Sequence, residues 1–120
     1  GVMELQTVPA MAAAVLMIAF GIGAALRPSS LGMVGVSATS PLGTSEIRAI
    51  FGGMFVALGL ACLITREPLV FAAVGAAWLA DVAVRTVSVV VDRVPPRQAA
   101  TVLGIGTAMG LALLSGYWLA

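Results

Sequence analysis

The chain contains neither lysine nor histidine, and it has a single cysteine, Cys62. Without lysine there is no side-chain amine to form a Schiff base, and without histidine there is no imidazole for acid-base chemistry or for holding a metal or haem. Cys62 has no partner within the chain for a disulfide, and we expect it to pack as a small hydrophobic residue. The sequence therefore predicts no cofactor and no metal site.

Charged residues are also scarce. They make up 9% of the 120 residues, and hydrophobic residues make up 61%, whereas soluble globular domains are about 25% charged. Six arginines and five acidic residues leave a net charge of +1, which provides no basic surface for nucleic acid. The composition predicts an integral membrane protein with a single transmembrane domain over residues 1–120.

Four hydrophobic stretches are long enough to cross a bilayer, which takes about 20 helical residues. They cover residues 7–26, 45–64, 68–91 and 98–119. The segment between the first two, residues 27–44, is rich in Gly, Ser, Thr and Pro and is predicted to be an interfacial loop, either a plain connection or a lid. Because the later connections are short, we predict an all-α fold, an integral membrane antiparallel four-helix bundle.

Two local signals bear on the ends of the spans. The second span has Thr44 or Ser45 as a candidate N-cap residue. Arginines at the span ends favour an orientation: Arg27, Arg93 and Arg97 lie on one side, and Arg66 lies on the other. Because cytoplasmic loops carry the excess of basic residues, we expect both termini to lie outside the cytoplasm.

The third span carries charge in its middle. Asp81 and Arg85 lie within an otherwise apolar stretch. At a rise of about 1.5 Å per residue, Asp81 lies roughly 20 Å from the Pro68 end of the stretch and roughly 16 Å from Asp92. One helix face carries Trp78, Asp81, Arg85, Ser88 and Asp92, at spacings of three and four. The acid precedes the base by four residues, the order that favours an ion pair within a helix.

Chain topology predicts neighbours for this pair. The second span begins on the side of the membrane where the third ends, so Glu46 and Arg48 are expected to share a leaflet with Arg85, and Asp81 lies slightly deeper. Arg48 would then bridge to Asp81 or to Glu46. Either the charges neutralise each other and fix helix register, or they form a polar pocket in which a carboxyl group handles protons.

The functional interpretation assigns roles to five residues. Asp81 and Glu46 are the candidate catalytic proton donor or base, because desolvation raises the pKa of a carboxyl group and a neighbouring arginine lowers it. Arg48 and Arg85 are the candidates for tuning the carboxyl groups or for binding a polar oxygen of the substrate. Trp78 is a candidate for stabilising a developing cation through its ring face, or else is a core residue.

A motif at the start of the second span carries a family resemblance. Residues 46–53 read Glu-Ile-Arg-Ala-Ile-Phe-Gly-Gly, which resembles the E-x-R-A-x-[FY]-G-G signature of small bacterial four-helix membrane proteins of unknown function, distantly similar to DoxX-like proteins. This resemblance implies the fold and a bacterial inner (cytoplasmic) membrane, and it implies no activity. In size, helix count and intramembrane acids, the chain also resembles small membrane-bound terpene cyclases, which are thought to protonate a lipophilic substrate with a buried carboxylic acid.

Three functions stay open at this point. The first is a membrane-embedded enzyme acting on a lipophilic small molecule by acid-base chemistry, such as isomerisation, epoxide opening or terpenoid cyclisation. The second is a non-enzymatic subunit or assembly factor of a larger membrane complex or a homo-oligomer, docking through glycine-lined faces such as Gly106-x-x-x-Gly110. The third is a small dimeric exporter, although the first span lacks the central acid typical of such transporters.

Overall fold

Helices account for all the regular structure in the described part of the chain. A computed structural model describes the backbone of residues 2–119 and the side chains of residues 7–119. The α-helices in this range are α1 (Val2–Leu26), α2 (Pro41–Glu46), α3 (Phe55–Thr65), α4 (Pro68–Val91) and α5 (Pro96–Trp118). A 3₁₀ helix, Pro28–Val34, precedes α2, and a π-helical segment, Ile47–Met54, joins α2 to α3. The predicted all-α class is confirmed.

Proline marks the start of most of these helices. It occupies the first turn of the 3₁₀ helix, α2, α4 and α5, as Pro28, Pro41, Pro68 and Pro96. The first N–H groups of a helix have no partner within it, so proline loses no hydrogen bond there, and its fixed φ suits the helix. Helix starts are therefore encoded locally in this sequence.

The cap predicted at Thr44 or Ser45 is wrong. The N-cap residue of α2 is Ser40, whose hydroxyl oxygen accepts a hydrogen bond from the Gly43 N–H at 3.1 Å. Because Pro41 follows Ser40 directly, the helix begins at Pro41 and includes the last residues of the segment that was predicted as a loop.

Four helical stretches are long and apolar enough to cross a membrane. They are Thr7–Leu26, Pro41–Thr65, Pro68–Val91 and Pro96–Trp118. The second stretch runs through α2, the π-helical segment and α3, and the others lie close to the stretches expected from hydropathy.

The chain folds as two compact units. One, here called the α4–α5 unit, comprises Gly1–Ala13 and Arg66–Ala120; the other, the α1–α3 unit, comprises Ala14–Thr65.

Glycines on α5 let α4 approach closely within the α4–α5 unit. A Cβ atom added to Gly110 would lie 2.6 Å from Leu79 Cδ2, and one added to Gly75 would lie 2.9 Å from the Gly110 carbonyl oxygen. Near the other end of α4, a Cβ at Gly116 would meet the Phe71 ring at 2.7 Å. Residues further along α4 thus contact residues nearer the start of α5. The two helices therefore run in opposite directions.

Glycines have the same role within the α1–α3 unit. A Cβ at Gly52 would meet Ala25 Cβ at 2.8 Å, and a Cβ at Gly59 would meet Ile18 Cγ1 at 2.6 Å. The second half of α1 therefore packs against the π-helical segment and α3 with almost no space between backbones, and the two partners run in opposite directions.

The 3₁₀ helix is anchored to its own unit by Leu31. This side chain is 1% exposed and forms a buried cluster with Ala24 of α1 and Ile47 of the π-helical segment. Val34, Val36 and Phe51 pack around the cluster. Much of the predicted interfacial loop is therefore folded back against the end of α1.

Candidate functional site

The predicted ion pair within α4 is present. The Arg85 Nε–H group donates a hydrogen bond to Asp81 Oδ2 at 2.7 Å, across one helical turn. This contact follows from the i, i+4 spacing, because α-helical geometry places side chains four residues apart one above the other.

The pair lies at the edge of the contact between α4 and α5. A Cβ added to buried Gly106 of α5 would stand 3.9 Å from Asp81 Oδ2 and 2.7 Å from Val82 Cγ2. The side chains of Asp81 and Arg85 nevertheless keep 44% and 41% of their surface exposed. The pair is thus supported on one side by α5, and it is accessible within this chain.

A second polar link follows on the same helix face. The Ser88 hydroxyl donates a hydrogen bond to Asp92 Oδ2, at the C-terminal end of α4. The predicted polar face therefore consists of two separate i, i+4 links, one in the middle of the helix and one at its end. Asp92 accepts from Ser88, and Asp81 accepts from Arg85.

Trp78 lies one turn before Asp81 and is half-buried. The residue takes part in an interaction of its own. Its proposed cation-stabilising role stays a prediction.

Glu46 and Arg48 belong to the other unit. Arg48 is exposed, and its guanidinium group donates a short hydrogen bond from Nη1 to the carbonyl oxygen of Ala25. Ala25 lies in the last turn of α1, where carbonyl groups have no partner within the helix. Arg48 thus caps the C-terminal end of α1, a structural contact that also suits the negative end of the helix dipole.

Glu46 is the last residue of α2 and its side chain is exposed. Glu46 directly precedes the π-helical segment in the sequence. Glu46 and Arg48 belong to one unit, and the Asp81–Arg85 pair belongs to the other. That these four residues lie together stays a prediction.

The π-helical segment is a feature that hydropathy did not reveal. It covers Ile47–Met54, which is almost the whole E-x-R-A-x-F-G-G motif. Stretches of π-helix are rare and occur often at functional sites. The signal available in the sequence was the adjacent pair Gly52 and Gly53, which lowers the α-helical preference of this stretch.

The glycine face proposed for docking to a partner is occupied. Gly106 and Gly110 are both buried, and the atoms nearest to them belong to Val82 and Leu79 of α4. Their small size serves packing inside the chain, so the expectation that they form a docking face is wrong.

Among the described residues there is no group of three or more His, Cys, Asp or Glu side chains that could hold a metal ion. No family model, no curated protein and no solved structure matches this chain. Both family resemblances drawn from the sequence stay predictions.

Proposed function

We propose that the chain is a membrane-embedded enzyme that acts on a lipophilic small molecule by acid-base chemistry. The observation that carries the proposal is the Asp81–Arg85 pair, which is accessible in the middle of a 24-residue apolar helix. A charged side chain near the bilayer centre costs about 2.5–3.5 kcal/mol on insertion scales, and intramembrane charges most often serve a function. Isomerisation, epoxide opening and terpenoid cyclisation are the reactions that this proposal covers.

The proposed setting is a bacterial inner membrane, with the four apolar stretches forming an antiparallel bundle and both termini outside the cytoplasm. Support comes from the length and composition of these stretches and from the excess of arginine at one set of span ends. Within this setting Asp81 and Glu46 are the proposed proton-transferring groups, and Arg48, Arg85 and Trp78 are proposed to bind or orient the substrate. Membership of the small family with the E-x-R-A-x-F-G-G motif is part of the same proposal.

The test uses purified protein in mild detergent with a panel of lipophilic ketones, epoxides and polyenes, followed by mass spectrometry. Asp81→Asn and Glu46→Gln are expected to lower turnover by about a hundredfold, the usual contribution of a general acid or base. Asp92→Asn is the matched control, since it makes the same change at a carboxylate already engaged by Ser88. Unchanged turnover in both site variants would remove the acid-base proposal.

A second candidate function is a subunit or assembly factor of a larger membrane complex or homo-oligomer. It is favoured by the exposed face around Gly53 and Ala57, where a Cβ added to Gly53 meets nothing within 4 Å. Small residues spaced by four allow close approach of another helix. The test is co-purification with a defined partner from the native membrane in mild detergent, which Gly53→Leu should abolish without unfolding the chain. A protein that stays monodisperse and without a partner under these conditions would count heavily against this function. Dimeric export ranks third, since no structural observation favours it.

A further inference from the structure

The Asp81–Arg85 pair uses only part of its hydrogen-bonding capacity. A carboxylate has two oxygens and a guanidinium group has five N–H donors. The bond within the pair joins Asp81 Oδ2 to the Arg85 Nε–H group. Asp81 Oδ1 and the Arg85 Nη groups have no hydrogen-bond partner among the described residues. Because both side chains are more than 40% exposed, the pair is accessible to a ligand.

The pairing also bears on the direction of proton transfer. Arginine is always charged in proteins, and a hydrogen bond from its Nε–H group is strongest when the acceptor is a carboxylate. A group that starts a reaction by donating a proton has to carry that proton beforehand. The geometry therefore suits a base better than an acid.

We propose that, if the chain is the acid-base enzyme described above, Asp81 is its proton acceptor and Arg85 binds a carbonyl oxygen of the substrate. The substrate class is then a lipophilic ketone with an acidic C–H group and a double bond one carbon further on. Epoxide opening and cyclisation, which begin with protonation, fall outside this class.

The reaction balances without a co-reactant. Asp81 Oδ1 takes a proton from the carbon next to the carbonyl group. The electron pair of that C–H bond forms a double bond to the carbonyl carbon, and the π pair of the carbonyl group moves onto its oxygen to give a dienolate. The Arg85 Nη–H groups stabilise this oxyanion by hydrogen bonds made inside a medium of low dielectric constant. The protonated Asp81, which is exposed and exchanges its proton with the solvent, then donates a proton to the far end of the dienolate, and the product is the conjugated enone.

The experiment uses a long-chain β,γ-unsaturated methyl ketone as the probe, with purified full-length protein in detergent prepared in D₂O. Conversion is followed by the absorbance of the conjugated enone and by deuterium uptake measured by mass spectrometry. We expect both signals, and we expect Asp81→Asn to lower both rates about a hundredfold or more. Asp81→Glu preserves the charge pair and is expected to retain part of the rate, and Asp92→Asn is expected to retain all of it.

A long-chain alkylphenol tests the role of Arg85 apart from turnover, because its oxygen and planar ring resemble the dienolate. Arg85→Gln is expected to weaken binding of the phenol about tenfold, and Arg85→Lys is expected to weaken it less, because lysine keeps the charge and loses the planar donor fork. Equal phenol binding by Arg85→Gln and the unaltered chain would overturn the role of Arg85.

The controls separate this inference from the proposal on which it rests. A matched long-chain epoxide and a polyene are tested beside the ketone. If either is converted in an Asp81-dependent manner and the ketone is not, the inference is overturned and the acid-base enzyme stands. If the protein converts none of the three, both are overturned for this substrate range.

Discussion

At the scale of single residues, the charged side chains of this molecule are engaged in different kinds of contact. Asp81 and Arg85 bond to each other across one turn of α4, whereas Arg48 bonds to a main-chain carbonyl at the end of α1. The first contact leaves a charged pair available for a ligand. The second gives Arg48 a structural role that does not require a substrate.

Arg48→Ala is expected to destabilise the fold by about 1 kcal/mol, because it removes a charge-assisted hydrogen bond and leaves the Ala25 carbonyl without that donor. Unfolding of the protein in mild detergent by added SDS, followed by circular dichroism, measures the effect. Arg27→Ala is the matched control, since Arg27 is also exposed at the end of α1 and makes no side-chain capping bond. Equal stability of the two variants would contradict the capping role.

At the scale of helices, glycine position decides which faces pack. Gly104 and Gly110 lie on the same helix, α5, but only Gly110 is buried against α4. The same contrast separates Gly52, which lies against Ala25, from its neighbour Gly53, which is open. The glycines of this chain therefore divide into those that carry internal packing and those that leave a face free.

Gly110→Ala is expected to destabilise the fold by about 1–3 kcal/mol, because its new methyl group would lie 2.6 Å from Leu79 Cδ2. Gly104→Ala makes the same chemical change where nothing lies within 4 Å, and it is expected to be neutral or to stabilise by up to about 1 kcal/mol through helix propensity. The same SDS unfolding assay compares the two. A Gly104→Ala variant as unstable as Gly110→Ala would mean that these packing contacts do not form.

At the scale of the whole molecule, the proposed arrangement in the membrane makes a prediction about the connections between spans. Residues 27–40 and the turn before α5 should lie on the cytoplasmic side, because they carry Arg27, Arg93 and Arg97. The turn between α3 and α4 should then lie on the other side.

Single cysteines introduced in a Cys62→Ala background test this orientation with a membrane-impermeant maleimide. Glu67→Cys is expected to react in intact cells, and Ser37→Cys and Arg97→Cys are expected to react only after the membrane is opened. The native Cys62 is buried and is removed so that any labelling comes from the introduced position. The reverse pattern would show the opposite orientation, and labelling of all three in intact cells would count against membrane insertion.

The sequence by itself determined the features that depend on neighbours along the chain. The helical class, the positions of the apolar stretches and the Asp81–Arg85 contact all follow from local composition and from spacing of three or four residues. The start of α2 is also local, since Ser40 and Pro41 specify it, although the weaker signals at Thr44 and Ser45 led to a wrong prediction.

Only the tertiary structure decided which residues meet across the chain. The bond from Arg48 to Ala25 joins positions 23 residues apart, and the burial of Gly106 and Gly110 against α4 depends on how two helices pack. Helical spacing gives each residue a face, but it does not say what that face contacts, because the contact is fixed by the packing of distant segments. For the same reason the sequence identified the charged pair on α4 and could not say that part of it remains accessible.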